Sequence, residues 1–421
     1  TPWPRGAEPR RAGVSSFGVG GTNAHVIVEE APVLMSTASA STSSDQPVVW
    51  PVSAKSEAAL GQRMLDLADF VQQQPTVNPL AVLATLTRGR QAMRHRQVIV
   101  AANVHEACAQ MRLKPAGRVA LLRPRVVFLF PGQGSQHPGM ARGLYDHLPA
   151  FREALDQCLR VATPLLSPTD HGPADLLRWL THPDPQDAEI GALLAQTRYA
   201  QPALFCVSYA LAAWLESLGV QPSAMIGHSI GEYAAACRAG VMSLDAAVKA
   251  VVARGQAMFE QRPGAMLAVR AGIEDVRARL PAGLEVAADN APGLTVVAGD
   301  IEAIDTLAAQ LEAQEIGTTR LKVSHAFHSA SMEAALPRVA EALQAAQLQA
   351  PTLPMYSCVT GERLTAAQAT DASYWAQQVR ATVQFRRAVE AELTQPDTVF
   401  VEVGSSQALT ALLRQYKTLQ G

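Results

Sequence analysis

The chain has 421 residues, 48% hydrophobic and 17% charged, with a formal net charge of -2. That length and apolar content allow two or three globular domains, and the near-neutral charge gives no electrostatic case for nucleic acid or an anionic membrane surface as partner. Five cysteines stand singly with no Cys-x-x-Cys pair, which fits reduced, mostly buried thiols in a cytoplasmic protein.

In chain order, Ser15-Ser16-Phe17-Gly18-Val19-Gly20-Gly21-Thr22-Asn23-Ala24-His25-Val26-Ile27-Val28 reads as a glycine-rich loop running into a β-branched strand with no partner nearby. This run resembles the C-terminal end of a ketosynthase of the polyketide and fatty-acid synthase kind. The resemblance implies that residues 1–33 are a remnant of that domain, with its catalytic cysteine and two histidines further upstream. His25 is then structural, and ketosynthase activity is not expected. Leu34 to Gln46, rich in Ser, Thr and Ala, has linker composition. Beyond it the pattern predicts a strand at Val48–Ser53, helices at Ser56–Val71 and Asn78–Arg88, a strand at His95–Ala102 and a helix at Val104–Met111. Residues 34–124 resemble the linker domain between ketosynthase and acyltransferase, with no catalytic constellation of their own.

From Arg125 the texture becomes α/β. Val126-Val127-Phe128-Leu129-Phe130 is a continuous apolar run of parallel-strand type that ends at Pro131-Gly132-Gln133-Gly134-Ser135-Gln136. Ala203 to Val220, bounded by Gln201-Pro202, reads as a buried helix, since Glu216 and its flanks do not suit a membrane span. Ala224-Met225-Ile226 reads as a strand and Glu232 to Cys237 as the helix leaving it. Arg262-Pro263-Gly264 and Lys322-Val323-Ser324 mark the ends of an insertion. Between them, strands at Met266–Val269, Leu284–Ala288, Leu294–Ala298 and Gly317–Val323 alternate with helices at Glu274–Leu280 and Ile301–Glu312. That is the β-α-β-β-α-β order of a ferredoxin-like subdomain. The domain 125–421 thus divides into a large α/β-hydrolase-like part, 125–261 and 324–421, and a small part, 262–323. A cleft between them is where a substrate would sit.

Four features carry chemistry. Gly227-His228-Ser229-Ile230-Gly231 is a G-x-S-x-G turn between strand and helix, the context in which a serine hydroxyl stands clear as a nucleophile. The Gln133 loop lets backbone N–H groups approach an oxyanion. His328, in Ser324-His325-Ala326-Phe327-His328-Ser329, is a candidate base where the insertion rejoins the core. Arg254, in the apolar run Val251-Val252-Ala253-Arg254-Gly255, needs an anion, either a structural Asp or Glu or a ligand carboxylate.

Together these resemble the malonyl-CoA:acyl-carrier-protein transacylases and the acyltransferase domains of modular polyketide synthases, over roughly residues 125 to 415. The resemblance implies a Ser229–His328 dyad without a triad Asp, an oxyanion hole from Gln133 and Ile230, and a carboxylate clamp at Arg254. Gln201, Asn290, His228, Phe327 and His325 would border the substrate. Relatives selective for malonyl carry His-Ala-Phe-His where methylmalonyl-selective ones carry Tyr-Ala-Ser-His. His325-Ala326-Phe327-His328, with Ile230 in place of the Gln of methylmalonyl-selective relatives, therefore implies malonyl. The loop Val403-Gly404-Ser405-Ser406, expected to orient His328, departs from the Gly-Pro usual there. Acyl-CoA, an acyl carrier protein bearing phosphopantetheine, and a ketosynthase are the implied partners, with no resident cofactor or metal. The competing readings are an esterase using Ser229, His328 and Asp289 or Asp300, and a non-catalytic scaffold that docks carrier proteins.

Overall fold

The computed structural model describes residues 3–31, 47–74, 77–113, 118–121, 124–170 and 172–416. The linker expected at 34–46 lies outside them. The chain divides into two compact units, Thr1–Leu121 and Leu122–Gly421. In the first, β1 (Arg11–Phe17) and β2 (Asn23–Glu29) form an antiparallel hairpin in which Ser15 faces His25. The strand expected to be unpaired therefore has a partner just upstream; Ser15 and Ser16 suggest a loop by composition, yet they extend and pair. Every residue of both strands is exposed. The remainder is an antiparallel sheet of β3 (Val48–Ala54), β4 (His95–Ala101) and β5 (Arg118–Val119), with helices at Glu57–Gln73, Pro79–Arg88 and Val104–Met111. Ser56, Asn78 and Asn103 cap these helices, each side chain accepting from a first-turn N–H. Trp50, Leu60, Met64 and Ile99 are among the residues of a separate small core.

The second unit holds β6 (Arg125–Phe130), β7 (Ala224–Gly227), β8 (Ala265–Val269), β9 (Glu285–Ala291), β10 (Leu294–Gly299), β11 (Thr318–Arg320), β12 (Met355–Tyr356) and β13 (Thr398–Glu402). The order β12-β7-β6-β13 is parallel throughout, and the apolar run Val127–Phe130 is fully buried in it. Phe130 pairs with Gly227, so β6 and β7 end level and their loops leave the sheet side by side. Carboxyl ends of parallel strands are where such sheets bind ligands.

The insertion forms an antiparallel sheet in the order β11-β8-β10-β9, with helices at Ile273–Arg277 and Ile301–Glu312. This is the split β-α-β-β-α-β arrangement. Its two ends meet at a neck: Pro263 bridges His325, and the Gly264 N–H donates to the Ser324 carbonyl at 3.0 Å. It docks on the larger part through β9. There the Asp289 N–H donates to the Val383 carbonyl, the Val383 N–H donates to the Ala287 carbonyl, and the Asp289 carboxylate pairs with Arg386 at 2.8 Å.

Several boundaries differ from expectation for physical reasons. The helix expected from Ala203 runs from Thr197 to Ser217, with Pro202 inside it. Pro202 is sixth in the helix and lacks the N–H that would bond back to the Arg198 carbonyl, so one internal hydrogen bond is lost; the helix continues through it nonetheless, and Gln201 becomes a buried helical residue. β9 runs on through Asn290, and β11 extends only to Arg320, although the Leu321 N–H still bonds the Met266 carbonyl of β8 before the chain enters the neck. Among the described residues no helix is long and apolar enough to cross a membrane.

A Cβ on Gly264 would stand 2.8 Å from both Cβ and N of Ala326, so the neck has no room for a side chain. Gly264→Ala is expected to destabilise the protein by about 1–3 kcal/mol, the usual cost of overpacking. Urea unfolding checks this, and an unchanged midpoint would show that the neck has slack.

Candidate active site

β7 delivers the chain into a strained elbow. Ser229 has φ 51°, in the left-handed region that side chains rarely adopt. A Cβ on Gly231 would lie 2.1 Å from the Phe130 carbonyl oxygen, so only glycine permits the turn between the two strands' ends. The helix Gly231–Arg238 then leads away, with its N-terminus behind the serine.

The elbow meets His328, which comes from the neck and also has a positive φ, 58°. Ser229 Oγ lies 2.7 Å from His328 Nε2, and His328 Nδ1 lies 2.9 Å from the Ala381 carbonyl. A carbonyl can only accept, so Nδ1 carries the proton and Nε2 is left to accept from Ser229. Burial, then the charge of Arg254 and the neighbouring His228, hold His328 down to about 3. The ring is therefore neutral at neutral pH, as a base must be.

Arg254 lies on the helix Leu244–Phe259 and is fully buried. Its Nη1 donates to Gln201 Oε1 at 2.7 Å, and its Nη2 to Gln378 Oε1 at 3.0 Å and Ser229 Oγ at 3.3 Å. The Tyr233 ring lies 5.5 Å away. Among the described residues no carboxylate comes within ion-pair distance, so a structural Asp or Glu partner is ruled out. A buried guanidinium held only by neutral acceptors keeps its attraction for an anion.

In front of these groups is a cavity of about 300 Å³, large enough for a small acyl group and its thioester arm. Gln133, Gln201, His228, Ser229, Ile230, Asn290, Phe327 and His328 all line it. Met266 and Val296 of the insertion and Leu409 and Leu412 after β13 add apolar wall. His228 Nε2 lies 2.9 Å from Asn290 Oδ1, tying elbow to insertion, and burial keeps that histidine lowered as well. Among the described residues five buried side-chain polar atoms lack a partner; Gln133 Oε1 and Ser135 Oγ belong to residues that line the cavity, and Arg254 Nε to the guanidinium that bonds Gln201 and Ser229.

Other expectations change. Arg254 does not line the cavity but bonds two residues that do, Gln201 and Ser229. His325 is outside the lining: Nε2 bonds the Gln261 carbonyl, Nδ1 bonds Ser324, and the ring stacks on Phe327 at 5.8 Å. It braces the wall instead of touching substrate. The Val403–Ser406 loop does not reach His328; the Val403 N–H bonds Leu129, and Ser405 Oγ donates to the Ser135 carbonyl, so the loop supports the Gln133 turn. The esterase triad has no acid, because Asp289 is engaged by Arg386 and Asp300 caps the helix Ile301–Glu312. Sequence reasoning missed Gln378, Glu232 and the Ala381 carbonyl. Glu232 had a faint signal, an acid set among apolar residues directly after the elbow; the other two had none.

Comparison with known proteins agrees with this geometry. The acyl transferase domain family matches residues 127–420, and a ketoacyl-synthetase C-terminal extension matches residues 1–100. The chain is 39% identical over 421 residues to a component of the phenolphthiocerol/phthiocerol polyketide synthase of Mycobacterium tuberculosis, covering 95% of this chain and 27% of that one. It is 36% identical to erythronolide synthase EryA2 of Saccharopolyspora erythraea, covering 97% of this chain and 11% of that one. The chain thus spans about a quarter or less of these relatives' length. Among solved structures, the acyl transferase domain of SpnD in complex with 2-(pent-4-yn-1-yl)malonyl superposes with a TM-score of 0.79 at 36% identity, covering 89% of this chain and 88% of that one. The acyltransferase domain from module 8 of the salinomycin polyketide synthase gives 0.78 at 33%, covering 88% of each. With a family model matched over most of its length and the serine elbow in place, the chain belongs to the acyltransferase domains of modular type I polyketide synthases, preceded by a ketoacyl-synthetase C-terminal extension.

Proposed function

We propose that this domain moves a malonyl unit from malonyl-CoA, through an ester on Ser229, to the phosphopantetheine thiol of an acyl carrier protein. The observation that carries the reading is the Ser229–His328 pair lying over a buried guanidinium that no carboxylate neutralises. Ser229 Oγ attacks the thioester carbonyl as its proton passes to His328 Nε2. The N–H groups of Gln133 and Ile230, neither of which has a protein acceptor among the described residues, hold the oxyanion. Collapse expels the coenzyme A thiolate, which takes the proton from His328. The carrier thiol then gives its proton to His328 and attacks the ester, and Ser229 leaves as the alcohol. Arg254 holds the far carboxylate, displacing Gln201 from its fork, so that the ester waits in reach of a thiol. No resident cofactor enters this scheme, and the domain works in the cytoplasm beside a ketosynthase and a carrier protein.

The preference for malonyl rests on Phe327. Its ring is nearly buried in the cavity wall and stacks on His325, and in this reading it is the group that an α-methyl branch would meet. Brief incubation with equal malonyl- and methylmalonyl-CoA, read by intact mass, should give mainly the malonyl-enzyme, by about 10- to 200-fold, with no adduct in Ser229→Ala. Phe327→Ser should erode the preference. A predominantly methylmalonylated protein would sink the assignment, and an unlabelled one would leave only a carrier-docking scaffold.

Arg254→Ala should slow malonyl acylation about a hundredfold or more, since two charge-assisted hydrogen bonds of about 1.5–3 kcal/mol each are removed. Acetyl transfer should fall less. Full retention of malonyl-over-acetyl selectivity in a folded variant refutes the clamp.

With His328 held near 3, the acylation rate should stay flat between about pH 5 and 8, without the acid limb of an ordinary histidine near 6.5. Stability follows a different course. Below about 6.5 the unfolded chain takes up protons that buried His328 and His228 refuse, so their contribution is intact above that pH and is lost as pH falls towards 3. Single-turnover acylation and urea unfolding across the range check both, and a rate limb near 6.5 would contradict the first.

A further inference from the structure

Gln378 touches more of the site than any residue so far given a role in it. It is fully buried, on the turn whose Ala381 carbonyl orients His328. Its Oε1 accepts from Arg254 Nη2 at 3.0 Å, and its Nε2 donates to the Ser229 carbonyl at 2.7 Å and to Glu232 Oε2 at 3.1 Å. The amide orientation is fixed by these partners, because a guanidinium only donates while a carbonyl and a carboxylate only accept. Glu232 is itself fully buried and also accepts from the Tyr374 hydroxyl at 2.7 Å and the Cys358 N–H at 3.2 Å.

A buried cation and a buried carboxylate therefore sit on either side of one amide without touching. Direct contact between them would be bidentate and desolvated, and a substrate carboxylate would have to break it to reach Arg254. We propose that Gln378 is a positioning residue, a neutral spacer that keeps Glu232 from capturing Arg254 and so leaves the guanidinium open to the carboxylate of the acyl substrate. The same amide anchors the carbonyl of the nucleophile, which keeps clamp and serine in register. Burial pushes the Glu232 carboxyl up while its donors Cys358, Tyr374 and Gln378 pull it back, and when ionised it lies across the amide from Arg254 without filling the site. This rests on the reading of Arg254 as the carboxylate clamp.

The test is a pairwise one, with the malonyl-to-acetyl discrimination measured by single-turnover acylation and the fold checked by urea unfolding. Gln378→Met, similar in size but without the amide, should lower discrimination about tenfold or more, the worth of one charge-assisted hydrogen bond, mainly through a higher KM for malonyl-CoA. Glu232→Gln alone should not lower it. The double variant should regain much of what Gln378→Met lost, because no carboxylate remains to close on Arg254; a purely structural role for Gln378 gives no such recovery. Unchanged discrimination in Gln378→Met, or a loss the second substitution does not restore, overturns the proposal. If Gln378→Met does not fold, Gln378→Glu, which sets a carboxylate directly on Arg254, must show the loss instead. Arg254→Ala separates the two ideas: if it keeps full discrimination, the clamp itself fails, and if it loses discrimination while the Gln378 variants do not, only the spacer fails.

Discussion

A cation sealed from water without a carboxylate beside it is the constraint around which the acyltransferase unit is arranged. Burying a guanidinium costs several kcal/mol unless its donors are met, and here both Nη groups are met by neutral groups from separate elements while Nε has no partner among the described residues. Gln201 comes from the helix Thr197–Ser217, Gln378 from a turn after Ala372–Gln377, and Ser229 from the elbow. Each neutral acceptor is weaker than a carboxylate, so the arrangement holds the charge in place while leaving it unneutralised.

Ser229 depends on a different constraint, the parallel pairing of β6 with β7. Level strand ends place the Gln133 loop against the elbow, and the close approach of Gly231 to the Phe130 carbonyl is possible only because the glycine carries no Cβ. His328 arrives from another direction, through the neck of the insertion, and is oriented by a backbone carbonyl. A carbonyl cannot take a proton at ordinary pH, so the ring is held in one tautomer without an acid that would raise its pKa.

Much of this was legible in the chain because the informative residues sit in short local patterns. The Gly227–Gly231 turn, the apolar strand before Gln133, the lone arginine in an apolar helix and the split order of the insertion each announce themselves within a few positions. What was not legible depends on distance. Gln378 bonds Glu232 across 146 positions, and nothing near either residue signals the other. Pro202 misled for a local reason, since a proline reads as a boundary, yet this helix runs through it among buried neighbours. His325 belonged to the right motif but holds a different role, because Gln261 and Ser324 consume both of its nitrogens, which sequence adjacency to His328 could not reveal. The hairpin Arg11–Glu29 was missed because serines and glycines weaken the strand pattern that its backbone nonetheless follows.

The neck has a consequence for how such domains diverge and can be recombined. The insertion supplies Met266, Val296 and Asn290 to the cavity, and the segment after its return strand runs through Ser324 straight into His325, Phe327 and His328. Part of the cavity wall and the position of His328 are thus carried on one continuous length of chain. An exchange of the insertion between relatives that cuts after Val323 would import new walls and keep the native base; one that cuts after Ser329 would import both together. The second junction transfers a matched set, and the first asks a foreign wall to fit a resident histidine.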